Sequence, residues 1–415
     1  MEVVERSQLR WVNFEVPKRA EIWLILRMQN IAINSLKTHL LRLPDPRLKR
    51  RRRHELIDVL VIATAAMLCA AENFVQMAQF GKAKEPWLRT FLALPNGIPS
   101  HDTFRRVFLL LSPEKFSEGF LNWTQTLRQA VAAEVVALDG KTVRRSFDAA
   151  KGQSAIHLVS AWASANRLVL GQIKVADKSN EITAVPALLR TLELAGCIVT
   201  VDALNCQKQI AKEIQEADAD YVLALKGNHE TAHAEIKLFL DEALAELFAP
   251  KPVGAKLSPA AATLARCETV DKGHGRLETR RYYQSAELDW FADRGEWEGL
   301  RTVGMVEAVR ERGGKQTVER RYYLSSLPLD VKTFARAVRE HWGVENQLHW
   351  VLDVQMNEDQ SRARAGYAAE NLALLRRWTL NLLRRDTRCQ AGIKTKQLNA
   401  SWDHAYLQSL LGLNA

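Results

Sequence analysis

The chain has 415 residues, 47% hydrophobic and 26% charged, an ordinary globular composition with enough length for two or three domains and a large core. Lys and Arg outnumber Asp and Glu by 58 to 48, giving a net charge of +10 that suits a polyanionic partner without identifying one. Cys69, Cys197, Cys206, Cys267 and Cys389 are scattered and never spaced as C-x-x-C, so neither a disulfide framework nor a zinc ribbon is indicated and the cytoplasm fits best.

Residues 1–40 lack a clear period and precede a Leu43-Pro44-Asp45-Pro46 break, so they read as a loosely attached extension, with Met28 an alternative start. Ile22 to Leu26 is apolar but no small-residue cleavage site follows, which argues against a signal peptide. The run RLKRRRR from Arg47 to Arg53 places Lys49, Arg50, Arg51, Arg52 and Arg53 together, either to grip phosphate or as a solvated charged face. Helices are expected around 56–71, 74–80 and 86–93, and Ser100 is placed to cap another. The apolar run Val59 to Ala71 falls short of the roughly 18 residues of a membrane span, so it reads as a buried helix and no membrane partner is expected. A helical N-terminal domain over 41–130 follows.

The texture then changes. Residues 134–138, 156–163, 168–175, 198–201 and 221–225 are short β-rich runs, the later ones separated by helical stretches over 182–194 and 207–217, which predicts a mixed α/β sheet. We place the first part of this core at 131–235. A helix near 231–247 leads to two hairpin-like segments, one turning at Gly273-His274-Gly275 and the other at Gly313-Gly314. Each ends in Arg-Arg-Tyr-Tyr, at Arg280 to Tyr283 and at Arg320 to Tyr323. Those pairs either pack across strands or stack on exposed bases. Residues 236–326 are read as a β-rich insertion, 327–385 as the second part of the core, and 386–415 as a tail that says little.

Asp139 follows the apolar run Val135 to Leu138, and Asp202 follows Ile198 to Val201. Each carboxylate therefore stands where a buried strand emerges, the end at which open α/β sheets bind ligands. A single Asp there can simply begin a turn. Two such carboxylates on adjacent strands repel, and one takes up a proton unless a cation offsets the charge.

A third carboxylate comes from a helix read over 331–354. At about 100° per residue, Phe334, Val338, His341, Glu345, Leu348 and Leu352 share a face, so Glu345 is expected to point inward. A carboxylate on an apolar stripe is protonated, paired with an Arg or bound to metal. Hard oxygen donors favour Mg2+ or Mn2+, and two ions about 4 Å apart can support in-line attack on a phosphodiester. Helical spacing also aligns His341, Glu345, His349 and Asp353, which could be misread as a zinc site; the neighbouring Trp342 and Trp350 speak for packing instead. Lys141, Arg144, Arg145 and Lys226 are placed to meet a DNA backbone near the carboxylates, or are ordinary surface charge.

The runs LDGKTVRRS (138–146), KSNEITAVPALL (178–189), VTVDALNCQKQIA (199–211), DYVLALKGNH (220–229) and HWGVENQLHWVLDV (341–354) closely resemble the H-repeat-associated, ISAs-type DDE transposases of bacterial insertion sequences. So do DPR (45–47), PSHDTFRRVF (99–108), KGHGRLETR (272–280) and the pair Glu358-Asp359. The resemblance spans about residues 40–385 in the expected order. It implies an RNase H-like mixed-sheet core in which Asp139, Asp202 and Glu345 are the catalytic, metal-binding acids. It further implies cleavage at terminal inverted repeats, strand transfer into target DNA, and a homo-oligomer acting on double-stranded DNA. A catalytically silent DNA-binding relic and a stand-alone metal-dependent nuclease are the other readings. Many members of the wider superfamily carry Tyr seven and Arg four residues before the Glu, and Lys seven after it. Here those positions are Val338, His341 and Leu352, so their DNA-contacting roles do not carry over, and His341 or Arg339 stands as the substitute.

Overall fold

In the computed structural model the described residues are 36–175, 181–250, 256–273 and 276–412. Residues 1–35 of the extension expected over 1–40, with its alternative start at Met28, the first three residues of KSNEITAVPALL and the turn residues His274 and Gly275 lie outside them, whereas residues 36–40 are not loosely attached but helical, with Leu36 and Leu40 buried in the core.

The N-terminal part is helical. Helix α1 (Leu56–Leu68) is buried at every position except Ile57. Its apolar residues need no polar face, because described helices that precede and follow the sheet pack around it. Helix α2 (Phe74–Ala83) is capped by Asn73, α3 (His101–Leu110) by Ser100, whose side chain accepts from the Thr103 amide, and α4 (Pro113–Leu127) by Ser112 with Pro113 in its first turn.

The sheet that follows has nine strands in the order β3-β2-β1-β4-β5-β9-β8-β7-β6. Strands β1 (Val135–Thr142), β2 (His157–Ala163) and β3 (Leu168–Val175) form an antiparallel meander. β4 (Ile198–Val201) and β5 (Asp220–Leu225) join parallel to β1, after the crossover helices α5 (Glu181–Leu189) and α6 (Lys208–Glu216). The order 3-2-1-4-5, with only the second strand reversed relative to the central parallel set, is the RNase H-like arrangement expected from the resemblance.

Helix α7 (Glu230–Phe248) leads into four long antiparallel strands, β6 (Ala265–Gly273), β7 (Arg276–Ser285), β8 (Thr302–Arg312) and β9 (Lys315–Ser325). β9 pairs antiparallel with β5, so this β-rich segment continues the core sheet. The turn between β8 and β9 uses Gly313 and Gly314, with φ of 57° and 76°, values a side chain would resist. Tyr282, Tyr283, Tyr322 and Tyr323 are all buried, with Tyr282 opposite Val306 and Tyr323 opposite Gly304. Cross-strand packing therefore accounts for the tyrosines of both Arg-Arg-Tyr-Tyr segments, and they are not free to stack on bases.

Helix α8 (Val331–Gly343), capped by Asp330, lies across one face of this sheet. Phe334, Ala337 and Val338 pack there with Val135, Ile198, Val222, Val306 and Tyr323. Beyond Gly343 the helix continues in wide turns, Val344–His349 and Val351–Gln355, in which Trp350 N–H bonds Glu345 O and Met356 N–H bonds Val351 O, five residues back. Helix α9 (Ala368–Arg385) then runs back against α1, α3, α4 and β3, followed by α10 (Ile393–Trp402) and α11 (His404–Leu411) on α1. No described helix is long and apolar enough to cross a membrane.

Candidate active site

The register between β1 and β4 determines the geometry of the first two acids. Val135 pairs with Ile198 and Leu138 with Val201, so Asp139 and Asp202 are the next residues on neighbouring parallel strands, which lie about 4.8 Å apart. Side chains alternate faces along a strand. Val135 and Ile198 pack under α8, and four residues on, Asp139 and Asp202 emerge on that same face. Both line a cleft of about 340 Å3 with Thr200, Lys226, His341 and Glu345.

The two aspartates are electrostatically unlike. Burial and the nearby charges of Asp139 and Glu181 hold Asp202 above the ordinary carboxylate range, against hydrogen bonds from the Asn205 amide at 3.1 Å and side-chain Nδ2 at 3.0 Å. Burial also pushes Asp139 up, but the hydrogen bond and charge of His349 more than reverse this and leave it low. His349 Nδ1 lies 3.3 Å from Asp139 Oδ2 and 3.4 Å from Glu345 Oε2. Burial lowers the imidazole's pKa, yet these two carboxylates raise it overall. Glu345 is held low, first by the same hydrogen bond. One ligand atom each from Asp139, Glu345 and His349 falls within a 4.8 Å span.

Glu345 does not point inward as a straight helical projection predicts: its side chain is 60% exposed, at the cleft's edge. The projection assumes 3.6 residues per turn, whereas the helix from Val344 onward is π-wound, and Val344, Leu348 and His349 take the buried positions. Of His341, Glu345, His349 and Asp353, Glu345 and His349 remain in contact while the other two turn away. His341 turns to Thr200 Oγ1 at 2.9 Å and Asp353 to Lys141 at 2.6 Å. Trp342 and Trp350 are 39% and 51% exposed, so the packing expected of them is not seen.

Lys141 is also corrected. It is buried and sits 2.6 Å from Asp353, 2.9 Å from Asp359 and 3.5 Å from Glu358, a structural cation that cannot reach a DNA backbone. Arg144, although 82% exposed, leans on Asp359 at 3.2 Å, and Arg145 is exposed. Arg52 folds back onto Asp45 and the carbonyl of Arg47, so it is largely spent within its own turn. Lys49, Arg50 and Arg53 face solvent. Arg339 is half exposed, 3.6 Å from Asp271, and lines a hollow beside the cleft, not the cleft itself.

A buried relay behind Asp202 had no recognisable sequence signal beyond the motif containing Glu181. Thr142 Oγ1 meets His157 Nδ1 at 2.8 Å, His157 Nε2 meets Glu181 Oε1 at 2.5 Å, and Asn205 Nδ2 donates to both Glu181 Oε2 and Asp202 Oδ1 at 3.0 Å. Gly140 leaves room for it, since a Cβ there would lie 2.5 Å from both Glu181 Oε1 and His157 Nε2.

An acidic cleft at the ends of parallel strands in an RNase H-like sheet defines a class of polynucleotide-processing folds. Residues 132–382 match the family described as "Transposase DDE domain", and residues 37–124 match "DDE_Tnp_1-associated". The chain is 38% identical over 384 residues to the "H repeat-associated putative transposase YhhI" of Escherichia coli K12, covering 91% of this chain and 98% of that protein. It is 43% identical over 292 residues to the "Uncharacterized protein in dhlA 3'region" of Xanthobacter autotrophicus, covering 69% and 93%. Among solved structures, the piggyBac transposase synaptic complex with hairpin DNA aligns with a TM-score of 0.43 at 11% identity, over 93% of this chain and 80% of that one. The chain belongs to the DDE transposase family of insertion sequences.

Proposed function

We propose that the protein cleaves DNA strands at the terminal inverted repeats of its insertion sequence and transfers the freed 3′ ends into target DNA, with Asp139, Asp202 and Glu345 as its catalytic acids. The observation that carries this reading is the convergence of the three carboxylates on one cleft, with Asp202 held above the ordinary carboxylate range by burial and by the charges of Asp139 and Glu181. Such unbalanced negative charge among hard oxygen donors fits Mg2+ or Mn2+, and a pair of ions is the occupancy we favour. When bound, they would supply Lewis-acid stabilisation to in-line displacement at phosphorus.

The chain's own residues prepare that chemistry. Asn205 orients Asp202 through two hydrogen bonds, and His349 holds Asp139 and Glu345 to one side of the cleft. Lys226 lines the cleft and is exposed, placed to meet a phosphate beside the carboxylates. We assign further backbone contacts to Lys49, Arg50, Arg53, Arg144, Arg145 and Arg339, and an end-positioning role to His341 in the cleft wall. The working assembly is a homo-oligomer on paired ends.

The test incubates the protein with a labelled terminal-repeat duplex and Mg2+, beside Asp139→Ala, Asp202→Ala and Glu345→Ala. Joined products from wild type and from none of the variants are expected. Cleavage without joining points to a nuclease, binding alone to a relic, and activity surviving in any variant removes that residue from the triad.

A further inference from the structure

We propose that the groove between α3 and the loop after the wide-turned helix docks a backbone phosphate of double-stranded DNA, at a place separate from the acidic cleft; the proposal rests on the DNA-processing reading above. The groove has a volume of about 480 Å3, larger than the cleft, and is lined by Arg105, Arg362, Arg364 and Arg376. Glu72 is its one lining carboxylate, and Glu72 Oε2 is engaged by Asn357 Nδ2 at 3.1 Å.

Arg376 carries the argument. It is 1% exposed, and its guanidinium reaches only two backbone carbonyls, Met356 O at 3.4 Å and Glu72 O at 3.5 Å. Among the described residues no carboxylate lies within ion-pair distance of it. The adjacent Arg377 shows the contrast, bonding Glu358 Oε1 at 2.8 Å. The acids whose charges act on it are Glu358, which pairs with Arg377 and Lys141, and Glu72, whose Oε2 accepts from Asn357. Glu358 and Glu72 act on this guanidinium only from beyond ion-pair distance, so its buried charge is incompletely offset and an arriving oxyanion completes it.

Arg105 and Arg362 are exposed at the groove's rim and likewise make no ion pair among the described residues. Their forked donors match phosphate oxygens. Two connections favour a duplex backbone over a small anion. Arg364 Nε donates to Arg145 O at 3.4 Å, which joins the groove to the exposed Arg144-Arg145 turn after β1. Asp359, at the head of the same loop, grips Lys141, two residues beyond Asp139. A strand leaving the acidic cleft along that turn meets the groove next.

The rim pair is the variant of choice, because replacing Arg376 risks the fold. Binding of the full chain to a 30-base-pair duplex is followed by fluorescence anisotropy from about 50 to 300 mM salt, for wild type and Arg105→Gln/Arg362→Gln. Expected are at least about tenfold weaker binding near 150 mM salt and a log K against log [salt] slope shallower by about one per lost phosphate contact, with circular dichroism and melting temperature unchanged. Wild-type affinity and slope in the double variant would overturn the proposal while leaving DNA binding intact. Failure of wild type itself to bind would overturn the DNA-processing reading as well. Thermal stabilisation of wild type by inorganic phosphate, lost in a variant that still binds duplex normally, would make the groove a small-anion site and also overturn it.

Discussion

Glu358 has no exposed surface, and its carboxylate is bonded to Arg377 and lies 3.5 Å from Lys141. Burial opposes its ionisation, yet the charges of Arg377, Lys141 and Arg376 draw its pKa down to about 2 from 4.5. A carboxyl depressed in the folded state adds stability above its unfolded pKa and loses it as the pH falls through the folded one. The window here is therefore pH 4.5 to 2, and the contribution is on the order of 3 kcal/mol. Glu358→Gln should flatten the decline of the urea midpoint across that window; an unchanged decline would show that other carboxylates govern it. The residue scale is also where the sequence was least legible. Asp139 and Asp202 could be placed at strand ends because the end of a short apolar run is a local feature, whereas the parallel register that sets them side by side comes from tertiary pairing. Lys141 could not, since its three acids come from residues 353–359 and only tertiary contact reveals that they consume its charge.

Among the elements, α8 is the one whose seating decides where Glu345 stands. Phe334 locks it, its ring resting over Gly304 of β8, where an added Cβ would lie 2.5 Å from Phe334 Cζ. Because Phe334 is fully buried, the ring has little room to yield. Gly304→Ala should cost about 1–3 kcal/mol in denaturant unfolding through overpacking, and should lower strand cleavage by moving Glu345. Unfolding at the wild-type midpoint would mean the contact is soft. Strands β3 and β4 have the bounds read from their runs, Leu168–Val175 and Ile198–Val201, because each is rich in aliphatic and β-branched residues and flanked by turn-forming residues such as Asn166, Gly196 and Asp202. The wide turns from Val344 to Gln355 had no such signature. Their apolar residues fit an α-helical projection well enough to hide the change of pitch, and that change moved Glu345 to the cleft's edge and brought in His349.

At the scale of the whole molecule, the helices before and after the sheet share one core. Trp378 of α9 packs against Phe116, Phe120 and Trp123 of α4, with ring centroids 5.1–5.5 Å apart. The last segment, whose sequence said little, closes over α1: Gln397 donates to Met67 O, Ser401 to Cys69 O, and His404 stacks on Trp87 at 5.3 Å. Its short helices have weakly segregated surfaces, so no periodicity marked them as core-forming. Their apolar side chains acquire meaning only against a helix that is itself buried on nearly every side. Leu407, Leu410 and Leu411 are buried there, and at about 1.5–3 kcal/mol for each buried Leu they supply roughly 5–9 kcal/mol, comparable with the net stability of a typical domain. A chain ending at Asp386 should therefore expose α1 and fail to accumulate in soluble form, or unfold at a much lower urea concentration than the full chain. A truncated protein that is soluble and unfolds at the full-length midpoint would show that α10 and α11 merely rest on the surface. Their loss would then leave the fold that carries the acidic cleft intact.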